Sequence, residues 1–426
     1  MKNKLSLAAL AALCVTSAHA MQFQTIGYKS VAMGGAAVAN STASTATYDN
    51  PALLAKAQYD VEISIGGGAS FHDHGVGAAA QELDDSGFLD TLDRLENNTA
   101  SVTAADAANL FKGKDVIMGM DGASLEVAPQ ASFGAQIGNF GFGVFGSSDA
   151  VATAVVSQAH DQVILYDSNY IGNYAKIASD GTVTASNATE YQNSSIEYAV
   201  NNGLTYLDVK AIGIAEIPVA YGHLFELSGG NLMVGGAVKY MHAFTYRENL
   251  RIDDSDSADN EKKDNTDGNF GIDLGVAYEP FFAKELTLGV VAKNLNKPEF
   301  SFVTGEKIEV KPMVRAGAAY NIGDMLELAV DMDITKNETF VPGIKNQMLG
   351  GGVSFHPVSW FALRGGAMKN LDSNDEAGVI YTAGLGFGLK WFQLDISGQM
   401  SGKTNTVEDT EYPRYAKVNV ALISRW

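Results

Sequence analysis

From Tyr59 onward, segments of about ten residues alternate apolar and polar side chains, the period-two signature of extended strands with two unlike faces. Leu326, Leu328, Val330, Met332 and Ile334 alternate with Glu327, Ala329, Asp331 and Asp333. Phe392, Leu394, Ile396 and Met400 alternate with Gln393, Asp395, Ser397 and Gln399, and Leu286, Leu288, Val290 and Ala292 alternate with Thr287, Gly289, Val291 and Lys293. Such a pattern suits a soluble sandwich with its apolar face inward and a transmembrane barrel with that face toward lipid, so periodicity alone does not choose between them.

Connection lengths choose the barrel. The pattern predicts strands near residues 59–72, 124–138, 139–158, 205–224, 230–248, 268–279, 285–296, 308–321, 325–336, 346–356, 359–370, 378–390, 391–401 and 414–425. Short links at Gly138-Asn139, Leu227 to Asn231, Pro280 to Lys284, Asn321 to Asp324, His356 to Val358 and Lys390-Trp391 alternate strictly with long ones. Short periplasmic turns, long extracellular loops and an even strand number produce that beat, whereas a sandwich has no reason to keep it. The expected fold is all-β: a transmembrane antiparallel barrel of about fourteen strands over residues 59–426. In the last strand Val420, Leu422 and Trp426 share the apolar face. A terminal aromatic there resembles the signal read by the barrel-insertion machinery, an expected partner.

The first long connection holds two helical patterns. Phe88, Leu92 and Leu95 fall at helical spacing, and Thr103 with Asp106 caps a second helix running to Phe111, with Gly113 as its stop. Helices at the barrel mouth either line a collection site for hydrophobic molecules or cover the rim. The run from Asp253 to Asp267 crowds Asp253, Asp254, Asp256, Asp259, Glu261, Asp264 and Asp267 around Lys262 and Lys263, a solvated charged loop without EF-hand spacing.

The start of the chain carries an address. Lys2 and Lys4 precede an apolar run from Leu5 to Val15 and a small-residue site ending in Ala18-His19-Ala20, so residues 1–20 are read as a cleaved secretory signal. Cys14, the single cysteine, lies within it after Leu13, which does not suit lipidation, and cleavage leaves no thiol for disulfide or metal. Without Lys2 and Lys4 the chain has 27 basic against 49 acidic side chains, net −22, which argues against nucleic acid as a partner. Forty-five glycines with 17 tyrosines and 20 phenylalanines fit many strands joined by tight turns.

Ahead of the first strand stand Thr25-Ile26-Gly27, then Ala32-Met33-Gly34-Gly35-Ala36-Ala37-Val38-Ala39, then Thr47-Tyr48-Asp49-Asn50-Pro51-Ala52-Leu53-Leu54. The segment resembles the N-terminus of the long-chain fatty acid transporter (FadL) superfamily of outer-membrane proteins. Glu216-Ile217-Pro218 to Tyr221-Gly222, Lys239-Tyr240-Met241 and Lys293-Asn294-Leu295-Asn296 are similar to its conjugal transfer TraF-type branch. On physical grounds Gly34 and Gly35 permit close backbone approach and Asn50-Pro51 sets a turn that ends a ladder, features suited to filling a lumen.

The resemblance implies that residues 21–58 form a hatch inside the barrel, with Met33, Gly34, Gly35, Asn50, Pro51 and Ala52 as its motif residues. It also implies a Gram-negative outer membrane, with lipid and lipopolysaccharide around the barrel. The function it implies is passive uptake of small hydrophobic molecules; the alternative is a non-transporting component of conjugation or secretion. The inward charges Glu327, Asp331, Asp333, Asp395 and Lys417 depart from a greasy pathway unless they pair with one another or with the hatch. No cofactor is expected. His72 and His74 share one face but show no third metal ligand in sequence, His223 and His242 have no catalytic partner, and no H-E-x-x-H, G-x-S-x-G or Walker pattern occurs, so neither a metal site nor an enzyme is expected.

Overall fold

The computed structural model describes residues 24–251, 264–372, 374–388, 391–407 and 410–426. The expected signal segment with Cys14 and most of the acidic run from Asp253 lie outside those residues. Fourteen strands form one closed barrel: β1 Val61–His74, β2 Ser124–Ile137, β3 Phe140–Val155, β4 Tyr206–Leu227, β5 Gly230–Arg251, β6 Asp264–Pro280 and β7 Leu286–Lys293, followed by β8 Met313–Ile322, β9 Leu326–Asp333, β10 Met348–Val358, β11 Phe361–Asn370, β12 Val379–Gly388, β13 Gln393–Ser401 and β14 Tyr415–Arg425. Each pairs antiparallel with its sequence neighbours, and β1 pairs with β14 to close the ring. The Val61 and Trp426 backbones exchange hydrogen bonds of 3.2 and 2.9 Å across that seam. Closure leaves the barrel no unpaired edge, the condition for strands to cross lipid.

The exterior settles the orientation that periodicity left open. Leu328, Val330 and Met332 of β9 and Val418, Val420 and Leu422 of β14 are exposed, while Asp331, Asp333, Lys417 and Asn419 are buried inside. Phe282, Trp360, Trp391 and Trp426 stand exposed at the short-turn end, as aromatic residues do at a membrane–water boundary. A band of exposed apolar side chains running around a cylinder is stable only against lipid.

The long connections build a roof. In the first, α3 (Val76–Asp85), α4 (Phe88–Leu95) and α5 (Ala104–Gly119) pack against a three-stranded sheet of residues 164–185 in the second. Phe88, Leu95, Leu110, Val116 and Ile117 bury against Val163, Leu165, Ile177 and Ile196. The apolar faces of the predicted helices are therefore used up in a shared core, which makes them a rim cover. The Thr103–Asp106 capping box forms as expected. Gly113 does not stop the helix: it lies inside α5, where a Cβ would strike the Phe88 ring, so the glycine serves helix–helix approach.

The second connection also carries α6 (Ala188–Ser194) and α7 (Ile196–Asn201). Glu197 of α7 accepts the Tyr166 backbone N–H at 2.7 Å. Burial pushes its carboxyl up to about 7, although the Tyr166 hydrogen bond opposes the shift. The folded roof then holds a proton that the unfolded segment releases near the ordinary glutamate range, so roof stability is highest below about pH 4.5 and falls as pH rises toward 7. Hydrogen exchange across residues 188–201, corrected for intrinsic rates, is expected to show stronger protection at pH 5 than at pH 8. Glu197→Gln should flatten that difference.

Candidate functional site: the filled lumen

Residues 24–57 run inside the barrel and reach each of its fourteen strands. Small residues dominate, so helices here are short: α1 (Tyr28–Ala32), α2 (Ala43–Asp49) and a 3-10 turn over Pro51–Lys56. Nearly all of Ser30 to Asn50 is buried. Because a barrel this wide has more lumen than its own side chains fill, the segment supplies the missing interior.

The Met-Gly-Gly motif is seated on glycines of the wall. Gly34 has φ +65°, and a Cβ there would lie 2.5 Å from the Gly351 and Ala367 carbonyl oxygens. Reciprocally, a Cβ on Gly352 would meet Met33 at 2.7 Å, and one on Gly366 would meet the Gly34 nitrogen at 2.9 Å. Here two backbones touch with no side chain between them, as the sequence predicts for Gly34. Gly35 differs: its neighbours are at ordinary distance, and its φ of +85° is the feature that selects glycine. Met33 is fully buried among Ala36, Ala39, Ala319 and Ala329.

The Asn-Pro-Ala motif is seated the same way. Instead of only setting a turn, Asn50 caps the 3-10 helix: its Oδ1 accepts the Ala52 N–H at 3.1 Å, and its Nδ2 donates to the Val38 carbonyl at 2.7 Å. Pro51 occupies the first helical position, where its missing N–H costs nothing. Gly222 of β4, Gly235 of β5 and Gly275 of β6 face this motif so closely that any Cβ would collide with it. Many glycines that composition alone assigns to turns are thus inner-wall contacts.

Inward charges hold the segment in place. Glu327 binds Lys29 at 2.8 Å and accepts from Asn40 Nδ2 at 2.8 Å. Asp331 accepts the Ala37 and Val38 backbone N–H groups at 2.7 and 2.9 Å. Lys417 donates to the Thr25 carbonyl at 2.8 Å and to Gln130 at 3.0 Å. Glu62 accepts from Ser44 N and Oγ at 2.9 and 2.7 Å. Asp333 pairs with Arg315 at 2.6 Å, and Asp395 pairs with Arg364. Of the five inward charges singled out from sequence, Glu327, Asp333 and Asp395 are ion-paired and Asp331 and Lys417 are hydrogen-bonded. Deeper in the lumen Lys239 is fully buried between Glu216 at 3.0 Å and Asp273 at 2.9 Å, and the Lys293 ammonium sits 3.2 Å from the Tyr48 ring centre.

Above the segment the mouth is divided. On one side a hairpin of residues 299–309 packs Phe300, Phe302 and Ile308 onto Ile212, Ile214 and Met241 of the inner wall. On the other an open pocket lies beside Gln24 and Thr25. Val341, Ile344, Met348, Met368 and Ile380 supply its apolar part, and polar side chains, Gln399, Lys417 and Asn370 among them, supply the larger part, with His72, His74, Glu126 and Asp375 at one end. His223 and His242 project from the exterior among aromatic side chains.

The barrel fold has counterparts among known proteins. The family model described as "F plasmid transfer operon, TraF, protein" matches residues 47–333, about two thirds of the chain. The chain belongs to the TraF family. Its fold is shared with the toluene transporter TodX of Pseudomonas putida, at 13% identity over 95% of this chain and 99% of that one, with a TM-score of 0.51. The toluene transporter TbuX of Ralstonia pickettii aligns at 13% identity over 95% and 99% of the two chains, with a TM-score of 0.50. The monoaromatic hydrocarbon channel CymD aligns at 10% identity over 96% and 99%, with a TM-score of 0.51. No curated protein matches this chain. This TraF-family chain therefore shares its barrel fold with these transporters and this channel.

Proposed function

We propose that this protein is exported by a cleaved signal over residues 1–20, inserts into a Gram-negative outer membrane and admits small hydrophobic molecules passively past a hatch formed by residues 21–58. The observation that carries this reading is the position of a pocket of mixed polar and apolar lining against Gln24 and Thr25, the first described residues of the lumenal segment. A ligand entering from outside meets the hatch at Gln24 and Thr25, where the Lys417 hydrogen bond to the Thr25 carbonyl would have to break. The shared fold of the toluene transporters and the hydrocarbon channel supports the same reading. Lipid and lipopolysaccharide cover the outer apolar band, and the insertion machinery reads the end of β14 with Trp426, Leu422 and Val420. Uptake of radiolabelled fatty acids and monoaromatic hydrocarbons by a deletion strain is expected to fall for at least one of them. Unchanged uptake across the panel would reject transport.

A second reading, a non-transporting outer-membrane component of conjugation or secretion, is favoured by the family match and by the ion pairs and hydrogen bonds of the five inward charges inside the lumen. A lumen held by so many bonds suits a static scaffold. Reduced mating or secretion in the deletion strain, with hydrocarbon uptake intact, would support it.

A further inference from the structure

The polar end of the mouth cavity carries an arrangement that neither the family nor the fold accounts for. β1 and β2 pair so that His72 stands directly opposite Glu126, and His74 follows two residues later on the same inward face. The two imidazoles lie with ring centres 3.7 Å apart. One ligand atom from each of His72, His74 and Glu126 falls within 4.8 Å of the other two. Both His Nε2 atoms are buried, and neither has a hydrogen-bond partner among the described residues. His74 Nε2 lies 3.9 Å from the Glu126 carboxylate, and His72 Nε2 lies 3.6 Å from Asp375 Oδ1. Asp375 reaches in from the connection between β11 and β12, held by Asn370 Nδ2 at 2.9 Å and the Ala377 N–H at 2.9 Å.

Buried imidazole nitrogens without partners are costly as they stand, and a close, tilted pair with two carboxylates beside it has little to gain from apolar neighbours. A divalent transition ion removes the cost by taking both lone pairs. We propose that His72, His74 and Glu126, with Asp375 as fourth donor, bind a zinc-class divalent cation at the extracellular end of the lumen. Two imidazoles and two carboxylates form a tetrahedral donor set suited to zinc, whereas calcium and magnesium favour all-oxygen sites. Zinc–ligand bonds of about 2.0–2.2 Å require His72, His74 and Glu126 to close in from their present spacing and Asp375, which stands outside that group of three, to swing further toward it. Three donors stand on rigid paired strands and one on a loop, so the ion ties the β11–β12 connection to the β1–β2 wall over the mouth of the cavity.

The test uses the mature barrel purified in detergent without a polyhistidine tag and dialysed against buffered Zn²⁺, with bound metal counted by mass spectrometry. One high-affinity zinc per chain is expected, unaffected by excess Ca²⁺ or Mg²⁺. The His72→Asn/His74→Asn double variant should lose at least about tenfold in affinity, and Glu126→Gln, which keeps the side chain's shape, should weaken binding in the same direction. Heat-modifiable migration on gels confirms that each variant is folded. Co²⁺ in place of zinc should give the intense visible bands of a tetrahedral site in the native protein only. Equal zinc content in native and double-variant protein, or none in either, would overturn the assignment. Because binding is read directly, this outcome is independent of whether the barrel transports anything.

Discussion

Gly34→Val is expected to turn a closed barrel into a conducting one. In planar bilayers the native protein should show no large stable conductance, because residues 24–57 fill the lumen and contact the whole ring. A valine at position 34 needs φ +65°, a conformation that strains any β-branched residue, and its first carbon would stand 2.5 Å from two wall carbonyl oxygens. The wall cannot yield, since Gly351 and Ala367 belong to paired strands. The motif must then lift off, taking with it the Thr382 contacts to the Ala32 carbonyl and the Gly34 N–H, at 2.8 and 3.0 Å. Gly35→Ala meets only the backbone penalty, about 1–2 kcal/mol, and should leave the barrel closed. A silent Gly34→Val channel would show that this seat is dispensable for closure.

Lys239→Ala should cost the barrel more stability than either glycine substitution. Its ammonium is fully buried and lies within 3.0 Å of two carboxylates, one of them, on Asp273, itself almost fully buried and also accepting the Asn294 N–H at 2.8 Å. Removing the cation strands like charges in a medium that screens them weakly, at a cost of about 3–5 kcal/mol. The urea midpoint of heat-modifiable migration reads this directly. Neutralising all three groups together, Lys239→Met with Glu216→Gln and Asp273→Asn, should recover much of the loss, because the cost comes from uncompensated charge and only secondarily from missing packing. A triple variant no more stable than Lys239→Ala would shift the explanation to packing.

Strand number, strand order and the lipid-facing side are legible in the sequence alone, because each rests on local information. A side chain's face follows from its parity along the strand, and the alternation of short and long links is counted directly along the chain. The observed strands begin and end within a few residues of the expected ones, and the differences lie at strand ends, as where β6 starts at Asp264. The Thr103–Asp106 cap is legible for the same reason: both residues lie within one helical turn.

What only the tertiary structure decided are the encounters between distant residues. No local rule states that the glycines of β10 and β11 receive Gly34, that those of β4, β5 and β6 receive Asn50-Pro51, or that Gly113 makes room for Phe88. A glycine in a turn and a glycine beneath another backbone look alike in one dimension. The His72–His74 pair shows no third donor in sequence because Glu126 lies more than fifty positions away, and only the register of β1 against β2 sets it opposite His72. The inward charges likewise look hostile to an apolar pathway until ring closure sets them against the chain's own leading segment. Periodicity is a property of each strand, whereas register and closure belong to the whole cylinder, and the lumen's chemistry is written in the second.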